Sequence, residues 1–134
     1  MAVTSTWYPS AFAKMFNNDL NDGDVFKVAL LGSLGTYNAA HTSWSNVSAN
    51  EISGAGYTAG GADIGISASS TSTKTEFTLN TVEWVGATIT FSHAVVYQAT
   101  SGMLMLHINF DGAQTVSSQN FILNTPSTKP SITP

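Results

Sequence analysis

Cysteine and arginine are both absent from this chain of 134 residues. Without cysteine there can be no disulfide and no thiolate metal site. That fits assembly in a reducing cytosol. Without arginine, the basic side chains are four lysines, Lys14, Lys27, Lys74 and Lys129, scattered along a chain of net charge −4. Phosphate neutralisation needs a clustered basic footprint, so nucleic-acid binding is excluded as a function. A polybasic membrane anchor fails for the same reason. No apolar run approaches the ~20 residues that span a bilayer. Met1 to Ser10 lacks the charged region and apolar stretch of a secretory leader, so none is expected. Charged residues of both signs make up only 9% of the chain, against about 25% in ordinary soluble domains.

What is there compensates in another currency. Apolar residues reach 43%, a globular value. Ser and Thr make up roughly a quarter of the chain. Thr suits a pleated surface and Ser suits turns, so the composition favours β-structure with long loops. The length is that of one domain able to bury its own core. A subunit packed into an assembly needs fewer surface charges than a free monomer, and the low charge points that way.

Periodicity divides the chain. Ser10 can cap a helix, and Phe12, Met15 and Phe16 fall on one helical face, so a short helix is predicted from about Ser10 to Leu20. The Asn/Asp/Gly-rich run Asn17 to Asp24 ends it. From Asp24 to Leu31, Phe26, Val28 and Leu30 alternate with their neighbours, a strand pattern. Gly32 to Ala62 has no period and reads as a long excursion, with a helical turn near Thr42 to Asn50 and Trp44 packed back onto the body. Strands are then predicted at Ala62–Ser67, at Thr75–Trp84 with a bend at Asn80-Thr81, and at Thr88–Gln98. The last has an apolar run, Ala94 to Tyr97, that suits a central strand. Further strands are predicted at Met103–Phe110 and Asn120–Asn124. Thr100-Ser101-Gly102 and Asp111-Gly112 read as turns. On Met103–Phe110, Leu104, Leu106, Ile108 and Phe110 should share one face, and Met103, Met105, His107 and Asn109 the other. The fold class expected is a mainly β, single antiparallel sandwich or barrel-like domain, residues 1–134, with one short N-terminal helix and a long irregular loop. Residues 125–134 form a Pro-rich extended arm, since three prolines in ten residues hold it extended.

Reactive motifs are missing. Asp19 to Asp24 resembles a calcium loop, but its Gly23 comes one place early and the twelfth position is Leu30, so the match fails. His41, His93 and His107 are distant in sequence and form no ligand spacing, so each reads as a hydrogen-bonded or surface side chain. There is no G-x-S-x-G, no cysteine nucleophile and no P-loop. Glu76 and Glu83 read as isolated acids on exposed strand faces rather than a catalytic pair. The glycine run Gly54 to Gly61 is followed by no lysine, and reads as a loop needing positive φ or close backbone contact. No enzyme activity, cofactor or metal is expected. Aromatic and stiff residues outside the clear strands are the candidate interface: Trp7, Tyr8, Tyr37, Trp44, Tyr57, Pro126 and Pro130. Trp84, inside a strand, is assigned to the core.

Three segments taken together carry a resemblance. They are Val25 to Leu31, Glu51 to Ala62 with its Gly54-Ala55-Gly56-Tyr57-Thr58-Ala59-Gly60-Gly61 core, and Val82-Glu83-Trp84 followed by Ala94-Val95-Val96-Tyr97. In this order and spacing, from about Phe12 to Leu123, the chain resembles a group of short tailed-phage virion structural proteins. The resemblance implies a non-enzymatic capsid decoration or cement protein that binds the major capsid protein or other virion subunits. It would be homo-oligomeric or lattice-bound, assembled in the bacterial host cytoplasm and located in the virion. The alternative it implies is a minor tail, baseplate or tail-fibre-type component, and a host-surface carbohydrate-binding module is the rival from another class. No catalytic residue is carried over.

Overall fold

The computed structural model describes residues 4–8, 25–64, 66–70, 75–79, 81–123 and 131–132. The fold is mainly β, as the composition and alternation predict. The strands are β1 (Thr4–Trp7), β2 (Phe26–Leu31), β3 (Ala62–Ile64), β4 (Ile66–Ser70), β5 (Thr75–Leu79), β6 (Val82–Gln98), β7 (Leu104–Leu123) and β8 (Ser131–Ile132). The main sheet has the order β1-β7-β6-β2-β3, and a smaller sheet has the order β4-β5-β8. Every strand pair is antiparallel. The helix expected at Ser10–Leu20 and the acidic run that ends it lie outside the described residues, as does most of the arm. Ser131 and Ile132 of that arm pair with Glu76 and Thr75 of the same chain.

Two strands dominate. β6 and β7 form one long hairpin through the predicted Thr100-Ser101-Gly102 turn, closed by Gly102 N–H donating to the Gln98 carbonyl at 2.8 Å. From Phe91 to Gln98 every residue of β6 is buried, whereas from Val82 to Thr90 buried and exposed residues alternate around one irregularity at Val85-Gly86. A continuously buried strand has both faces covered, and an alternating one has a face in water. The hairpin therefore starts as the centre of a two-sided layer and ends as a one-sided ribbon. The Ala94 to Tyr97 run lies between β2 and β7, the central position expected of it.

Asp111-Gly112 does not end a strand. β7 runs through it, and the reading of a turn there is corrected to a bulge. His93 pairs with Asn109 but Phe91 pairs with Gln114, so residues 110–113 face Ser92 alone. Asp111 takes a φ of 60° and its N–H donates to Asn109 Oδ1 at 2.9 Å. A second bulge places Ser118 at a φ of 50°, with its N–H on Thr88 Oγ1 at 3.0 Å. Bulges bend and twist a ribbon. A further irregularity falls at Met105, where Val96 pairs with Leu106 but Tyr97 with Leu104. That slip overturns the predicted facing at Met103 to Met105, whereas Leu106, Ile108 and Phe110 share one face as predicted. Met103, Met105, Leu106, Ile108 and Phe110 join one core cluster, and Leu104 joins the other.

The bends lay the ribbon over one face of the sheet. There Trp84 stacks on Phe121 at 5.6 Å, Phe121 meets Phe91 at 4.7 Å, and Phe91 meets Phe110 edge-on at 5.1 Å. The loop segment Glu51–Ala55 closes the curl. Leu31 bridges to Glu51, and Ala55 bridges to Thr88 on the far half of β6. The segment thus ties β2 to the far half of β6 over an aliphatic and aromatic core, and the curled sheet is barrel-like while its order stays open at β1 and β3.

Candidate functional site

The long loop, residues 32–61, carries most of the chain's distinctive residues. Its second half is the glycine-rich segment of the sequence motif. Ile52 N–H donates to the Leu30 carbonyl at 3.1 Å, extending the β2 edge. The N–H of the same residue, Leu30, donates to the Tyr57 hydroxyl at 3.0 Å. Tyr57 in turn donates to Glu51 Oε2 at 2.7 Å, and the same oxygen accepts Gly60 N–H at 2.7 Å. Tyr97 donates its hydroxyl to the Gly60 carbonyl. One carboxylate, two phenols and a backbone turn thus form a single network. Burial, then the bond to Glu51, pushes the Tyr57 hydroxyl well above the usual phenol range, and burial raises Tyr97. Both remain donors at any physiological pH.

Glycine is required where this segment crosses the sheet. Gly61 has a φ of +89°, and a Cβ there would collide with the Val28 carbonyl oxygen. At Gly54 a Cβ would meet the Thr88 carbonyl oxygen. The run is a close-contact device, as its composition predicts, and its donors are turned inward on the protein.

The first half of the loop covers the other face of the main sheet. Two 3-10 turns, Trp44–Asn46 and Ser48–Asn50, occupy the predicted helical region. Ser43 and Asn46 cap the first reciprocally, with Asn46 Oδ1 accepting both Thr42 and Ser43 N–H at 3.0 Å. The loop is sewn to the start of β7 by Trp44 N–H on the Gly102 carbonyl and Leu104 N–H on the Thr42 carbonyl. Trp44 stacks flat on Tyr97, 4.6 Å between centroids and 9° between planes. It packs back onto the body, as expected.

Beneath the loop lies a cluster of rings. Tyr8, Tyr37 and His107 are mutually in contact, and His93 sits 5.0 Å from His107. His107 is 2% exposed and its Nε2 lies 2.9 Å from the Gly35 carbonyl. A carbonyl only accepts, so Nε2 carries the proton. His93 is 8% exposed, and among the described residues its Nδ1 has no hydrogen-bond partner. Burial lowers both imidazole pKa values, against the raising effect of the backbone at Ser33 for His93 and at Gly35 for His107, and His93 lowers His107 further.

The structure distributes the candidate interface residues unequally. Tyr8 is wholly buried, with its ring against Tyr37 and His107, so it is a core residue in place of the surface anchor expected. Tyr37, Trp44 and Tyr57 are half-buried, and each has an aromatic face engaged inside the chain. The Trp7 side chain, Pro126 and Pro130 lie outside the described residues. Trp84 is buried, as assigned. Sequence reasoning passed over Glu51, Tyr97 and the two histidines. The histidines were findable: folding the chain at Thr100–Gly102 sets His93 and His107 on neighbouring strands, where diagonal residues meet.

An open groove of about 450 Å³ runs between Glu51–Ser53 and the ribbon residues Thr88–Thr90, Thr115 and Val116. Its lining has hydroxyls and one carboxylate but no imidazole or cation to activate them. Among the described residues no group of three or more His, Asp or Glu is placed to hold a metal ion. No family model, curated protein or solved structure matches the chain.

Proposed function

We propose that the chain is a non-enzymatic structural subunit of a tailed-phage virion, a capsid decoration or cement protein that binds and stabilises the major capsid protein lattice. The observation that carries this reading is the use made of the motif from Glu51 to Gly61. Its carboxylate, phenol and glycines are spent on fixing the loop to β2 and β6, a rigid framework with no reactive group left over. That is what a subunit needs whose work is to hold a shape against neighbours. The low charge, 9% of residues, suits a surface that spends its life in contact with protein. Exposed apolar side chains stand at Val25, Leu34, Val85 and Ile122. Val85 and Ile122 lie on the one-sided ribbon, where contact with a partner would bury them. Repetition over a symmetric shell turns such modest contacts into avidity.

The carbohydrate-binding alternative has less support, because Trp44 and Tyr57 already stack on Tyr97 and Trp84. The test is incubation of the purified protein with purified phage heads or emptied capsids, with copy number counted per shell. Saturation at a fixed multiple of the capsid lattice, with added resistance to heat, is the expected outcome. Recovery with tails in place of heads moves the protein to the tail. Binding to neither part of the particle overturns the virion reading.

A further inference from the structure

The histidine pair beneath the loop is placed to control whether that loop stays closed. We infer that His93 and His107 form an acid-sensitive latch: at neutral pH they hold residues 33–50 against the second face of the main sheet, and protonation releases the loop. This is independent of the virion reading.

The geometry carries the argument. The two rings lie 5.0 Å apart on neighbouring strands, both buried. His107 is tied to the loop rather than to the sheet, its Nε2 2.9 Å from the Gly35 carbonyl, and His93 stands beside it under the same loop. A protonated imidazole donates from both nitrogens. Among the described residues Nδ1 of His93 has no acceptor, so its added proton would be buried unpaired. A second proton on His107 would set two like charges side by side.

Among the described residues the surroundings offer no compensation. Tyr8 comes from the segment after β1, and Tyr37 from the loop. Both are phenols, uncharged in the acid range. β2 contributes Leu31 opposite His93, and β1 contributes Thr6 opposite His107. Among the described residues, the groups acting on the two imidazoles include no carboxylate and no lysine. His41, also on the loop, is the remaining imidazole.

The sign follows from linkage. Both pKa values are lowered by burial in the closed state, so the open state binds protons more readily. Closure is therefore complete above the ordinary histidine value of about 6.5 and is lost as pH falls through the lowered values. Release would bare Tyr8, Leu31, Val95, Tyr97 and Leu104, all now buried under the loop.

The experiment is amide hydrogen exchange of the intact chain, expressed as protection factors. Between about pH 7.5 and about pH 5, protection of loop amides such as Gly35 and Val47 should fall about tenfold or more, while β6 and β7 keep theirs. The His93→Gln/His107→Gln double variant should lose this pH dependence, and His41→Gln should keep it. NMR titration of the wild-type imidazoles needs no variant, and should place both midpoints below about 6.5, coincident with loop release. A loop whose protection does not change with pH overturns the latch. So does a folded double variant that still opens in acid, a midpoint above the ordinary value, or strands that lose protection together with the loop.

Discussion

On one face of the main sheet, Phe91 meets Phe110 and Phe121, and Trp84 closes the row. On the other, Val95 and Leu104 are covered by a loop held through rings and hydrogen bonds. The first face is sealed mainly by the strands, bent over by bulges, with loop residues Ile52 and Tyr57 packed along its side, and its fully buried residues include no ionisable group. The second is sealed by a segment with no regular period, and includes two tyrosines and two histidines. Burial of apolar area is indifferent to pH and to the exact placement of donors. A lid of hydrogen bonds and buried imidazoles depends on both. The comparison assigns global stability to the first face and adjustable local stability to the second.

The largest blow to the first face is Phe91→Ala. The ring is 1% exposed and touches two other aromatic rings. Its loss should cost about 3–5 kcal/mol, read as a lower urea midpoint with an unchanged slope. Loop and strands should melt together in this variant. A loss confined to the loop would mean that the two faces have been assigned the wrong way round.

The seam between the faces is Tyr57. Tyr57→Phe keeps the ring over Trp84 but removes the hydroxyl that serves both Leu30 N–H and Glu51. A half-buried donor and a carboxylate oxygen each lose a partner, which should cost about 1–3 kcal/mol. Exchange of the Leu30 amide should rise more than that of Val96 on the neighbouring strand. Equal rises at both would show that the network supports the whole sheet and not its edge. Mild acid sharpens the same comparison from the other side, since only the second face has histidines to charge.

Much of the first face was legible in the sequence, and little of the second. Alternation at Phe26, Val28 and Leu30, the run Ala94 to Tyr97 and the turn Thr100-Ser101-Gly102 are period-2 signals and turn chemistry, which depend on near neighbours. Met105 and Asp111-Gly112 defeated that reading, because a bulge leaves the local pattern intact and changes only the register with the partner strand. Tyr8 was read as exposed because nothing near it in sequence shows that Tyr37 and His107 will enclose it. The glycine run announced close contact, but the bond from Tyr57 to Glu51 and on to β2 joins residues 27 positions apart. Sealing by hydrogen bonds is set by such distant partners, so the loop's role emerged only with the fold.

The gentlest probe is Asn46→Ala, in the lid itself. The Asn46 side chain accepts two N–H groups, those of Thr42 and Ser43, where the loop enters its first 3-10 turn. Both bonds are exposed, so water can replace them in the variant. The cost should therefore be at the low end for a lost cap, about 0.5–1 kcal/mol. What matters is where it falls. Thr42 also accepts Leu104 N–H, and Trp44 N–H reaches Gly102, so loosening this turn should weaken the stitching of the loop to β7. Exchange at Ser43, Ser45 and Val47 should rise severalfold while the urea midpoint hardly moves. A drop in the midpoint with no change at those amides would show the loop to be part of the same cooperative unit as the barrel-like core, and the distinction between the two faces would not stand.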